Sequence, residues 1–294
     1  MYKSFYSLAK TPFSKDMKHG DAFESIVYQE ALNGLAYLQR TKGIGLIIGD
    51  PGAGKTFTLR SFKDSLNPAL YHVVYFPLST GGVMDFYRGL AYGLGEEPKF
   101  RKIDLFRQIQ SGIEQMAQER KVTPIFILDE MHMAKDAFLQ DLAILFNFQM
   151  DSSNPFILIL AGLPHLKTRL NLNHHRPLAQ RIIMKYQIQP LSKDDVYAYI
   201  EHHLKLAGSR MPIFSSTAME AIALRSQGWP RVINTLTMNC LLYGAQQKKE
   251  QIDEEIVRLA AEESGGLPGR PGGHRPVQRA DNTRGHRAAQ AQGR

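Results

Sequence analysis

The octapeptide Gly49-Asp50-Pro51-Gly52-Ala53-Gly54-Lys55-Thr56 constrains this 294-residue chain more than any other feature. It satisfies the phosphate-loop pattern G-x-x-x-x-G-K-[ST] at every fixed position. Such a loop works between a buried strand and a helix. Its glycines let backbone N–H groups curl round a phosphate, and the helix dipole favours negative charge there. The flanks fit: the apolar run Gly43–Gly49 (GIGLIIG) precedes the loop, and a helix-forming segment beginning Lys55-Thr56-Phe57 follows it. In that setting Lys55 reaches the β- and γ-phosphates of ATP, the Thr56 hydroxyl ligates Mg²⁺, and Phe57 lies in the first helical turn beside them.

Four further apolar runs of strand length occur at Tyr71–Leu78, Pro124–Leu128, Pro155–Ala161 and around Ile182–Ile188. They are apolar throughout rather than alternating, which predicts strands buried on both faces of a parallel sheet. Between them, Ile103, Phe106, Ile109, Ile113 and Met116 recur at helical steps and predict the buried stripe of a helix after Arg101. After Pro190 the strands stop. Ser192 with Asp195 predicts a helix N-cap, and Val196, Tyr199, Ile200, His203, Leu204 and Ala207 then share one face. Further helices are expected at about 215–226, 230–248 and 250–263. The expected organisation is a doubly wound α/β nucleotide-binding domain over 1–190, a small all-helical domain over 191–264 and a tail over 265–294.

The second half of a nucleotide site is expected at Ile125-Phe126-Ile127-Leu128-Asp129-Glu130. Asp129, ending a parallel strand beside the phosphate loop, would hold Mg²⁺, and Glu130 would orient or deprotonate the attacking water. With both halves in place the sequence resembles the AAA+ ATPases. That resemblance implies a P-loop NTPase sheet followed by a helical lid, with ATP and Mg²⁺ as ligands. It also implies a lid arginine that reads the nucleotide, matched by Arg231 in Gly228-Trp229-Pro230-Arg231-Val232-Ile233-Asn234, and an arginine finger offered to a neighbouring subunit, matched by Arg181 with Arg176 as the alternative. One position departs from the pattern: Leu163 stands where many such ATPases carry a polar residue after the fourth strand, which predicts slow hydrolysis.

Tyr6, Thr11-Pro12-Phe13 and Ala161-Gly162-Leu163-Pro164-His165-Leu166 extend the resemblance to the ExeA/GspA-like group over roughly residues 5–262. This group holds general-secretion ATPases and transposition ATPases related to TnsC, TniB and MuB. The compact layout is similar to the transposition branch. It implies a cytoplasmic homo-oligomer, ring or filament, that assembles on double-stranded DNA with little sequence preference and regulates a partner transposase, without a membrane partner. The alternative is a secretion-pathway ATPase without its membrane and cell-wall-binding parts.

Charge permits the DNA reading without demanding it. The chain carries +8 formally, but residues 265–294 hold six arginines and one acid, leaving +3 before them. That tail reads either as a phosphate-neutralising arm or as a dispensable extension. Before it, Lys99, Arg101 and Lys102 form the best basic cluster for DNA, or else a solvated helix start. A single cysteine, Cys240, excludes an intramolecular disulfide framework and is expected to be an inert core thiol. The adjacent pairs His174-His175 and His202-His203 are expected to point in different directions and to hold no zinc. Asp129-Glu130-Met131-His132 matches a helicase box, but too little chain follows residue 190 for a second comparable α/β domain. Trp229 is expected to pack the lid.

Overall fold

The computed structural model describes residues 2–14, 19–77, 82–148 and 152–263. The Arg-rich tail therefore lies outside the described residues. Five strands, β1 (Gly43–Ile48), β2 (Tyr71–Pro77), β3 (Thr123–Asp129), β4 (Ile157–Gly162) and β5 (Ile182–Gln187), form one parallel sheet in the order β2-β3-β4-β1-β5. After β1 the chain crosses to the far edge before returning, so a crevice opens at the carboxyl end of β1. Open α/β sheets bind their ligands in such a crevice.

All residues of the central strands β1, β3 and β4 are buried, as continuous apolar runs predict. The runs at β2 and β5 misled: both are edge strands, with several exposed positions each. Edge position is set by topology, which local composition does not encode.

Helices cover both faces. On one, α2 (Ile26–Thr41) and α3 (Lys55–Ser65) pack Leu35, Leu38, Leu59 and Phe62 against Ile47, Ile127 and Ile159. On the other, α4 (Val83–Gly93), α5 (Lys102–Gln118) and α6 (Asp136–Leu145) pack Leu90, Ile109 and Leu142 against Ile44, Phe126 and Leu158. Successive strand side chains point to opposite faces, so each strand feeds both cores. Each such aliphatic chain contributes about 1.5–3 kcal/mol when fully buried. The stripe of α5 differs from expectation at its start: Ile103 is exposed and Leu105 fully buried in its place. Two short helices, His165–Leu170 (α7) and Arg176–Arg181 (α8), fill the β4–β5 connection.

A separate core belongs to α9 (Lys193–Leu206), α10 (Ser216–Ser226), α11 (Pro230–Gln246) and α12 (Glu254–Glu263). The Ser192 hydroxyl accepts from the Asp195 amide at 3.1 Å, and the Asp195 carboxylate accepts in return from the Ser192 amide, a capping box at the expected position. Of the expected face, Val196, Ile200, His203, Leu204 and Ala207 are buried, and Tyr199 is half-buried. Tyr6, Leu8 and Phe13, which follow a short first helix (Tyr2–Phe5, α1), join this helical core, and the Tyr6 hydroxyl donates to the Lys249 carbonyl at 3.0 Å. Cys240 is fully buried on the stripe with Ile233 and Leu236, and burial pushes its thiol up to about 12, so it carries no thiolate at neutral pH. Trp229 corrects expectation: it packs beside the sheet-side cluster that includes Ala53 and Ile188.

Candidate nucleotide site

The loop between β1 and α3 takes its shape from two glycines in the left-handed region, Gly52 (φ +83°) and Gly54 (φ +97°). α3 starts at Lys55 with no side-chain cap, leaving its first N–H groups directed at whatever fills the loop. Lys55 is buried, and its Nζ donates to the carbonyls of Gly49 (2.7 Å) and Asp50 (3.1 Å). Burial lowers its pKa below the ordinary amine value, while the carboxylates of Glu130, Asp129 and Asp50 oppose the shift. A desolvated cation held by two neutral carbonyls suits exchange for phosphate oxygens.

Parallel pairing of β3 with β4, and of β4 with β1, brings Asp129 to the same end of the sheet. Its carboxylate is nearly fully buried. Oδ2 accepts from the Thr56 hydroxyl at 3.2 Å and from the Tyr75 hydroxyl at 3.1 Å, and Oδ1 accepts from the Glu130 amide at 2.8 Å. Burial and the nearby Asp129 charge push Tyr75 up to about 12, so it stays a donor. The Thr56 hydroxyl and the Asp129 carboxylate form a hard-oxygen pair that would hold Mg²⁺, so the residues fit that ion.

Pro51 through Phe57, Glu130, His132, Leu163 and Arg231 line one cavity of about 950 Å³. Phe13, Phe23, Tyr28, Tyr199 and His203 add an aromatic end to it, and the Tyr28 and Phe57 rings lie 5.7 Å apart. A polar end with a lysine and an apolar end with aromatic rings suit a nucleotide's phosphates and base respectively. Arg231 reaches this cavity from the first turn of α11. Its amide donates to the Gly52 carbonyl at 3.3 Å, and a methyl group at Gly52 would meet Arg231 Cβ at 2.5 Å.

The structure thus brings Gly49–Phe57, Asp129, Glu130 and Arg231 together, with Leu163 on the same wall. Arg181 lies elsewhere, at the end of α8, its guanidinium donating to the Ala143 carbonyl, while Arg176 at the start of α8 is exposed. Lys99 and Arg101 are exposed, whereas Lys102 donates to both carboxylate oxygens of Asp141 at 2.8 Å. Tyr75 and His132 escaped the sequence reading. His132 is the fourth residue of Asp129-Glu130-Met131-His132, a signal that by sequence alone points to a helicase box rather than to this wall.

One of the two histidine pairs needs a correction. His174 and His175 do converge: their Nε2 atoms lie 3.7 and 3.1 Å from Asp136, because the 3-10 turn Asn173–His175 compacts them. Arg169 also donates to Asp136, at 2.6 Å, and to the carbonyls of His132 and Ala134. The bonds from Arg169 and His175 hold the Asp136 carboxyl down at about 2. With a guanidinium already on the carboxylate, the cluster ties the loop after β3 to α7; a cation there would have to displace Arg169.

The fold is that of a P-loop AAA domain, and residues 38–170 match the family model described as an AAA domain. The chain is 30% identical over 275 residues to general secretion pathway protein A of Aeromonas hydrophila, an alignment covering 91% of this chain and 49% of that protein, so it spans about half the relative's length. Among solved structures it is similar to Cdc6p of Pyrobaculum aerophilum (TM-score 0.65, 18% identity, 89% of this chain and 70% of that one). It is also similar to the ORC1 protein of Aeropyrum pernix in complex with DNA (TM-score 0.59, 14% identity, 86% and 67%). At those identities the structures speak for the fold alone. Among the described residues no helix is long and apolar enough to cross a membrane.

Proposed function

We propose that this protein binds and hydrolyses ATP with Mg²⁺, and that the nucleotide sets the position of its helical part. The observation that carries this reading is the convergence of Lys55, Thr56, Glu130 and the lid residue Arg231 on one cavity, with the Asp129 carboxylate bonded to Thr56 behind it. The loop amides and Lys55 hold the phosphates, and Thr56 with Asp129 holds the ion. Bound Mg²⁺ would neutralise charge developing on the transferred phosphoryl group. Glu130, half-exposed at the cavity wall, takes the proton of the attacking water. Arg231 reads phosphate charge from α11. Leu163 offers no hydrogen bond, which favours slow turnover. Domain limits near residues 190 and 264 belong to the same proposal, supported by the end of β5 at Gln187 and of α12 at Glu263.

The finer reading is assembly on double-stranded DNA to regulate a transposase, as a cytoplasmic homo-oligomer. Its supports are the similarity to a fold seen bound to DNA and the exposure of Lys99 and Arg101; Lys102 is engaged by Asp141 and contributes less. A second reading, energising a secretion pathway, is favoured by the 30% identity to general secretion pathway protein A. Electron microscopy of the purified protein with duplex DNA and ATP or ADP separates them. ATP-dependent rings or filaments on DNA support the first; no association at low salt sinks it. Glu130→Gln should keep ATP binding and trap the assembled state, and its faster release from DNA would refute the coupling. Arg181→Ala should bind ATP normally yet lose assembly-dependent hydrolysis; full activity would move the finger to Arg176 or elsewhere.

A further inference from the structure

Glu130 does not continue strand β3. Its backbone turns into the left-handed region (φ +57°, ψ +30°), and a 3-10 turn, Met131–Met133, follows at once. An L-residue there is uncommon and is held in place by its surroundings. The turn brings His132 back beside Glu130, with Nδ1 3.3 Å from Glu130 Oε2. That contact misses hydrogen-bond alignment, so Nδ1 is buried without a bond. A buried nitrogen without a partner is unfavourable, and the carboxylate beside it can satisfy it by a small rotation.

His132 itself is fixed. Its carbonyl accepts from Arg169 Nη1 at 3.0 Å, the His165 ring meets its ring nearly edge-on with centroids 5.3 Å apart, and a Cβ added to Gly162 would lie 3.1 Å from its amide nitrogen. Glu130, by contrast, is half-exposed and otherwise free to swing across the cavity. Glu130, His132 and Leu163 line the same cavity.

We propose that His132 is the positioning residue for Glu130: its Nδ1–H anchors the carboxylate at the cavity wall and supplies the polar contact that Leu163 does not. The proposal rests on the reading of Glu130 as the base for hydrolysis. It differs from a structural role because the ring acts through Glu130, while its backbone bonds persist in any variant.

Three variants of the full chain test this: Glu130→Gln, His132→Ala and His132→Asn, whose amide can donate from near the Nδ1 position. A fluorescent ATP analogue measures Kd, a phosphate-release assay with Mg²⁺ measures kcat and KM, and nitrogen NMR follows the His132 ring. The expected result for His132→Ala is a kcat lower by about tenfold or more with Kd within twofold, and recovery of most of that loss in His132→Asn. Glu130→Gln should shift the His132 ring resonances even without turnover. A wild-type kcat in His132→Ala overturns the proposal, as does a parallel loss of binding that asparagine fails to rescue, or an unmoved His132 resonance in Glu130→Gln. If Glu130→Gln still hydrolyses ATP at the wild-type rate, the role of Glu130 itself falls. If Glu130→Gln is inactive and His132→Ala is not, only the role of His132 falls.

Discussion

Replacing Gly228 by alanine should damage both stability and nucleotide response, and the structure sets the size of the effect. Gly228 has φ +76°, and a Cβ there would lie 2.2 Å from the Leu191 carbonyl oxygen and 2.9 Å from its nitrogen. Those are backbone atoms, so no side chain can swing aside. The Leu191 amide donates to the Gly228 carbonyl at 3.0 Å, clipping the segment that enters α9 to the turn that enters α11. The left-handed conformation costs an alanine about 1–2 kcal/mol. Loss of the clip adds about 1 kcal/mol. Together they give about 2–3 kcal/mol, or a melting temperature lower by roughly 4–9 °C at about 2–3 °C per kcal/mol. Scanning calorimetry without nucleotide measures this. The same displacement moves Pro230 and Arg231 off the phosphate loop, so the stabilisation conferred by ATP should shrink as well. Gln227, also left-handed at φ +51°, is the control: Gln227→Gly relieves strain in the same turn and should leave the melting temperature unchanged or slightly raised. A Gly228→Ala protein melting within 1 °C of wild type would refute the clip.

Lys55→Met should lose ATP affinity by about 10- to 100-fold, the worth of charge-assisted bonds, without lowering the melting temperature of the nucleotide-free protein, because a desolvated cation is removed; equilibrium binding and calorimetry check both halves. His203 is buried against Phe13 and Tyr199, and burial lowers its pKa to about 4. The unfolded chain, with an ordinary histidine near 6.5, therefore takes up this proton first, so stability should fall as pH drops from about 6.5 towards 4, by about 2 kcal/mol at pH 5. His203→Phe should lose that part of the dependence while remaining folded, and a variant whose pH profile matches wild type would refute the assignment.

Most of the nucleotide-binding half was legible because its chemistry is local. A glycine loop must join a strand to a helix, so Gly49–Thr56 announces its own context, and Asp129 follows from an apolar strand ending in two acids. Five strands were found at their places for the same reason. What local sequence could not encode was lateral order: β2 and β5 share the composition of central strands yet lie at the edges. Nor could it encode packing between distant segments. Phe13 and Tyr6 join a helical core more than 180 residues further along, and His174 with His175 meets Asp136 through a turn whose compactness helical periodicity does not signal. Ile103 fitted a helical stripe by spacing, but it lies at the first turn of α5, beyond the rim of the core that Leu105 enters.

The placement of the cavity gives the nucleotide a mechanical consequence. Its polar wall comes from the sheet core, through Lys55 and Glu130; Arg231, Asn234, Tyr199 and His203 come from the helical core, and Phe13 from the N-terminal segment packed into that second core. Between the cores, one direct link at the site is the Arg231 amide on the Gly52 carbonyl, at the long end of hydrogen-bond distance. A phosphate seated in the loop would add charge-assisted bonds on both sides of that seam, beside the neutral Arg231–Gly52 bond. A ligand shifts an equilibrium by its difference in affinity for the two states, and contacts drawn from both cores provide that difference. On the proposed reading, loss of the terminal phosphate would remove contacts with Arg231 while leaving most of those made by the loop. If ATP is hydrolysed as proposed, that loss would act first on the helical part, and a partner sensitive to the nucleotide would read the angle of α11.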